Sequence, residues 1–138
     1  MKSVFTRIIE REIPAYIVYE DELVIAFLDI SQATKGHTLV VPKEAHKDLF
    51  EMPDELASHV MRVSIKLAKA IKKAYNPAGL NLLNNNGEIA GQSVFHFHIH
   101  LIPRYQVSDI SLHLNNQMDT LSPEEYKKRA QMITSALL

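Results

Sequence analysis

The chain has 138 residues, 46% of them hydrophobic and 22% charged, ordinary material for one compact domain with a real core. Fifteen Lys and Arg against sixteen Asp and Glu leave a net charge of −1, which gives no bulk electrostatic reason to hold a nucleic acid or an anionic membrane. The sequence contains no cysteine, so disulfides, a thiol nucleophile and thiolate zinc sites are excluded.

Residues 1–16 interrupt their short apolar pairs with Arg7, Glu10, Arg11 and Glu12 and lack the apolar run of a signal peptide. No segment reaches the roughly 20 apolar residues that a bilayer demands, and a cytoplasmic protein is the expectation. Residues 16–19 and 23–28 are apolar, β-branched and aromatic runs on either side of Glu20-Asp21-Glu22, which predicts a hairpin. A third strand is expected over 37–41, opened by Gly36 and closed by Pro42, which cannot donate to a ladder. From residue 54 to 75 the apolar positions Leu56, Val60, Val63, Leu67, Ile71 and Ala74 recur at helical intervals. Pro53 suits the start of that helix, and Asn76-Pro77 followed by Gly79 ends it. Lys66, Lys69, Lys72 and Lys73 read as its solvated outer face. Two further strands are expected over 80–85 and 93–102, joined by turn-rich residues 86–91. A second helix follows over 123–136, with Ser122 as its cap, Pro123 in its first turn and Glu125 completing a capping box. Five short strands mostly joined by turns, with one long helix between the third and fourth, predict an antiparallel α+β domain and not a doubly wound parallel sheet.

The chemistry concentrates in Val94-Phe95-His96-Phe97-His98-Ile99-His100-Leu101-Ile102. A spacing of two matches the strand period, so the three imidazoles share one face, the outer two roughly 6.6 Å apart. A wet strand face would explain a single histidine; three in strict alternation opposite apolar residues point to function. One reading is a metal site, since His-x-His sets two nitrogens on one side. It needs further ligands, and the nearest acid in sequence is Glu88, with Asp29 more distant. The other reading is covalent catalysis, in which one neutral imidazole attacks phosphorus while its neighbours orient it and protonate the leaving group. Asn84-Asn85-Asn86-Gly87 and Gly91-Gln92-Ser93 bring amide, hydroxyl and flexible-backbone donors to the mouth of that strand, where phosphate oxygens could be held.

His96-Phe97-His98-Ile99-His100-Leu101-Ile102 resembles the His-φ-His-φ-His-φ-φ motif of the histidine triad (HIT) superfamily of nucleotide hydrolases and transferases. The likeness to its Hint/Hit-like branch extends through Arg7 to Ala15, Ala26-Phe27-Leu28-Asp29-Ile30-Ser31, Val41-Pro42-Lys43-Glu44-Ala45-His46, Gly91 to Phe95 and Pro103-Arg104. It covers about residues 3–105 as the core of a single HIT domain, with 106–138 as a helical tail.

The resemblance implies a purine nucleotide pocket and release of a nucleoside monophosphate from a phosphoramidate, acyl adenylate or dinucleoside polyphosphate. His98 would be the nucleophile and form a nucleotidyl-histidine. His100 would contact the α-phosphate and leaving group as acid and then base, with His96 in support and His46 as the family's fourth histidine. Asp29 would accept both ribose hydroxyls; Ile30, Phe27, Ile17 and Val18 would enclose the base; Asn85, Gly91, Gln92 and Ser93 would contact phosphate. The resemblance also implies a homodimer with one continuous sheet. Many bacterial relatives begin with a Cys-x-x-Cys pair that helps hold a structural zinc, but here Ser3 and Thr6 stand in its place. Hydroxyls are poor zinc ligands, so no metal or other cofactor is expected. A second reading keeps the pocket but makes the protein a nucleotide-binding regulator with vestigial catalysis.

Overall fold

A computed structural model describes residues 1–137. A five-stranded antiparallel sheet organises the chain, in the order β1 (Ile17–Glu20), β2 (Val24–Leu28), β3 (Thr38–Pro42), β5 (Ile99–Arg104) and β4 (Gly79–Leu83). The long helix α2 (Asp54–Tyr75) connects β3 to β4. These elements match the predicted α+β architecture.

Both faces of the central strands are covered, and alternation sorts their side chains between two cores. Val24, Ala26, Val40, Ile99 and Leu101 join Val60, Val63 and Leu67 of α2 on one face. Ile25, Phe27, Leu39 and Val41 pack on the other against Phe5 and Ile8. This second cover is the short helix α1 (Val4–Ile9), an element beyond those predicted from the sequence. Ser3 caps it, accepting a hydrogen bond from the Thr6 amide at 3.0 Å. Six residues are too few to show a helical period, so the cap is the only local signal.

The hairpin turn is fixed by Asp21, whose Oδ1 accepts from the amides of Leu23 and Val24, both at 2.8 Å. Its Oδ2 is shared by the Tyr19 hydroxyl and the His59 ring, each at 2.7 Å, which ties the turn to α2. That helix ends where Asn76 takes a left-handed conformation, φ +48°. Between β2 and β3, Gly36 has φ +95°, and a Cβ there would approach the Tyr75 ring to 3.2 Å. Only glycine meets both demands comfortably.

The fifth strand differs from its predicted span. The ladder begins at Ile99, not residue 93, and runs through Arg104. The register pairs Val40 with Ile99, so its continuation would set Pro42 against Phe97, and proline has no N–H to give. The Phe97 carbonyl thus lacks that donor, while its amide donates to the His46 carbonyl at 2.7 Å and the Pro42 carbonyl accepts from the His96 ring at 2.8 Å. Histidines 96 and 98 therefore precede the ladder, and only His100 lies in it.

After β5 the chain continues through irregular residues to α3 (Pro123–Ser135), capped by Ser122 as predicted. Among the described residues, no helix is long and apolar enough to cross a membrane.

Candidate functional site

Alternation persists through residues 96–98 although the ladder does not, and the three imidazoles gather on the α1 side of the sheet. The Phe5 ring stands edge-on to His98, 4.8 Å between centroids at 82°. His98 and His100 follow at 4.9 Å. They close one end of a cleft of about 390 Å³, a volume in the range of small-ligand sites. Phe5, Ile8, Phe27 and Leu39 supply apolar walls, with Tyr16, Ile30 and Asp29 at the rim. Ile17 and Val18 lie outside this lining, half-exposed on the edge strand β1. Ile13, Pro14 and Ala15 also line the cleft, a role the sequence did not announce.

Each ring's tautomer follows from its partners. His98 Nδ1 lies 2.7 Å from the His96 carbonyl; a carbonyl only accepts, so Nδ1 carries the proton and Nε2 keeps its lone pair. The His98 carbonyl is itself held by the Asn84 amide at 2.8 Å. His96 Nε2 donates to the Pro42 carbonyl at 2.8 Å, leaving Nδ1 as acceptor.

His100 Nδ1 meets His37 Nε2 at 3.0 Å. Because His37 Nδ1 accepts from the Ala33 amide at 3.3 Å, the proton between the rings belongs to His37. Neutral His100 then carries its own proton on Nε2. Asp29 Oδ2 stands 3.6 Å from His37 Nε2, while Oδ1 accepts from the amide and hydroxyl of Ser31 at 2.8 and 2.7 Å.

Burial lowers the pKa of His37, His96 and His98 below the ordinary histidine value. His100 falls furthest, to about 4, through burial first and then the neighbouring His98 and His37 rings. For Asp29, burial opposes ionisation, but the Ser31 hydrogen bonds and nearby imidazoles outweigh it and leave the pKa lowered. At neutral pH the site holds neutral rings beside one carboxylate.

The ring that touches the triad from outside is His37, not His46. The sequence reading placed His37 only at the start of a strand, and its spacing from the triad, 63 residues from His100, gave no signal without the fold. His46 binds Glu44 through Nε2 at 2.5 Å and serves the triad through its carbonyl. Ser93 lines the cleft. The Gln92 side chain does not face it: its amide bridges the Lys47 and Val94 carbonyls and the Gly87 amide. Asn85 lies against Gly91, which adopts φ +98°, and neither of these two expected phosphate contacts lines the cleft.

Among the described residues, Asp29, His37 and His100 present ligand atoms within 4.8 Å of one another, a donor set able to take a divalent ion. Hydrogen bonds already occupy His100 Nδ1 and one oxygen of Asp29. Ser3 and Thr6 do not fit a zinc centre. Neutral hydroxyls are weak zinc donors, and Ser3 Oγ is engaged by the Thr6 amide and the His96 ring at 2.9 Å.

A sandwiched antiparallel sheet that brings three alternating histidines to the end of an apolar cleft defines a histidine-based small-ligand site. The sequence profile of the HIT domain matches residues 10–107, and the chain belongs to the HIT family. It is 48% identical over 135 residues to the protein Hit of Bacillus subtilis, covering 97% of this chain and 93% of that one. A crystal structure of a HIT-family member from the same species superposes with a TM-score of 0.96 at 47% identity, over 100% and 99% of the two chains. The chain is also 36% identical over 137 residues to the adenosine 5'-monophosphoramidase hnt1 of Schizosaccharomyces pombe, covering 99% of each.

The lowered histidine pKa values set a pH dependence of stability. In the unfolded chain His100 takes a proton near pH 6.5, in the folded protein near 4, so between these values the unfolded state binds more protons. The stabilisation is complete above pH 6.5 and lost as pH falls through that window. Urea unfolding should show a midpoint that declines over this range, with a shallower decline in His100→Gln; an equal slope in both proteins would contradict the assignment.

Proposed function

We propose that the protein is a nucleotide hydrolase or transferase that takes a nucleoside monophosphate from a phosphoramidate, acyl adenylate or dinucleoside polyphosphate onto His98. The supporting observation is the tautomer of His98, whose Nδ1 proton is held by the His96 carbonyl while Nε2 keeps a free lone pair. The name of the fission-yeast relative, an adenosine 5'-monophosphoramidase, supports the same reading. A purine fits between the apolar walls with its ribose at Asp29, and the α-phosphate then lies against His98, His100 and Ser93.

In the first step Nε2 of His98 attacks the α-phosphorus in line, forming a P–N bond as the bond to the leaving group breaks. An amine departs after gaining one proton, which comes from solvent in the open cleft by way of His100 Nε2, while His37 holds the other face of that ring. In the second step water attacks the nucleotidyl-histidine, returns one proton to solvent by the same route, and releases the monophosphate with His98 again neutral. Protons balance over the cycle. The residues of this chain supply the nucleophile, the proton relay and the positioning, and no cofactor enters the scheme.

The working unit of this proposal is a homodimer. β4 is an edge strand with Leu82 exposed, and Met61 and Ile65 stand exposed on α2. A second copy pairing along β4 would cover this open edge.

Intact-mass measurement after mixing with an adenosine phosphoramidate should show an adduct of one adenylyl group that decays as AMP appears. His98→Ala should show neither adduct nor turnover yet still bind AMP; unchanged activity in that variant would end the covalent scheme. Asp29→Asn should narrow the preference for AMP over dAMP by about tenfold or more, because an unpaired buried acceptor costs about 1–3 kcal/mol. An unchanged ratio would remove Asp29 from ribose recognition. Light scattering should give the mass of two chains, and a single-chain mass would refute the dimer.

A further inference from the structure

We propose that the Ser3 and Thr6 hydroxyls form a metal-free clasp on His96, making Ser3 a positioning residue for the nucleophile. His96 is 1% exposed, and both ring nitrogens need partners there. Nε2 gives its proton to the Pro42 carbonyl, so Nδ1 must receive one from elsewhere. Ser3 Oγ stands 2.9 Å away and Thr6 Oγ1 3.4 Å from the same nitrogen. The two hydroxyl oxygens are 3.2 Å apart. Ser3 donates to the ring, and Thr6 directs its proton onto Ser3.

In the positions where the resemblance implies two cysteines in many bacterial relatives, this chain ties helix α1 to His96 through hydroxyl groups. The link reaches further than helix α1. The His96 carbonyl anchors Nδ1 of His98, and α1 carries Phe5, whose ring edge supports the His98 ring. Loosening Ser3 therefore frees both the acceptor that fixes the nucleophile's tautomer and the ring that fixes its plane. A helix-capping role accounts for the Thr6 amide bond but not for the approach to the imidazole.

The two roles separate by substitution. Glycine caps a helix nearly as well as serine but has no hydroxyl; threonine keeps both properties. Nitrogen-15 NMR of the histidine rings in the free protein should show His96 as the Nε2–H tautomer with a hydrogen-bonded Nδ1. In Ser3→Gly that Nδ1 resonance should move toward the free lone-pair position, and in Ser3→Thr it should not. Thr6→Val, which leaves Ser3 in place, should move it in the same direction by less. Protein expressed in zinc-supplemented medium should contain no stoichiometric zinc, and a chelator should leave its melting temperature unchanged.

Since the second half of the inference rests on the proposed reaction, turnover is read separately. Ser3→Gly should lower kcat about tenfold with KM little changed, and Ser3→Thr should recover it. If the parent turns over no phosphoramidate, the proposed function fails while the ring resonances still decide the clasp. Stoichiometric, chelator-sensitive zinc, identical His96 resonances in Ser3→Gly and the parent, or no shift in Thr6→Val would each overturn it.

Discussion

The hydrogen bond between the His98 ring and the carbonyl two residues before it governs the rest of the site. A strand inside a regular ladder spends its carbonyls on neighbouring strands. Here the ladder stops before His98, and on the side that the His96 carbonyl faces, β4 pairs with β5 no further than Leu83 opposite His100. The released His96 carbonyl becomes available to an imidazole of its own segment. Where the sheet pairing ends thus sets which nitrogen of the His98 ring keeps its lone pair.

The central strands β2, β3 and β5 hold this arrangement in place because both their faces are covered. Helix α2 closes one side with a continuous apolar stripe, which leaves the other side free for polar rings under a small cover, helix α1. The rings are dehydrated enough to stay neutral, and each ring nitrogen engaged by a protein donor or acceptor has a fixed role. Asp29, the Ser31 hydroxyl and His37 all belong to the connection between β2 and β3 or its margins, which Gln32 holds together by donating to the Asp29 and His37 carbonyls at 2.8 and 2.7 Å.

The sequence disclosed what periodicity can carry. Helix α2 was legible from Leu56 to Ile71, the hairpin from its polar turn, and the shared face of the three histidines from their spacing of two. It disclosed less where a partner is distant along the chain. His37 looked like a strand residue because its contact with His100 exists only after β3 and β5 pair. Gln92 looked like a phosphate donor because nothing local announces that its amide is consumed by Lys47 and Val94. Helix α1 is a single capped turn and a half, stabilised by Phe5 and Ile8 against the sheet more than by propensity. The early end of the β5 ladder could be inferred only once the register set Pro42 opposite Phe97.

Among the side chains lining the cleft, Asp29 is the one group with a full charge at neutral pH. An anion that entered would meet no cationic side chain to offset the hydration it gives up. In the proposed reaction, a cavity built in this manner would let a spent anion diffuse away without first having to break an ion pair.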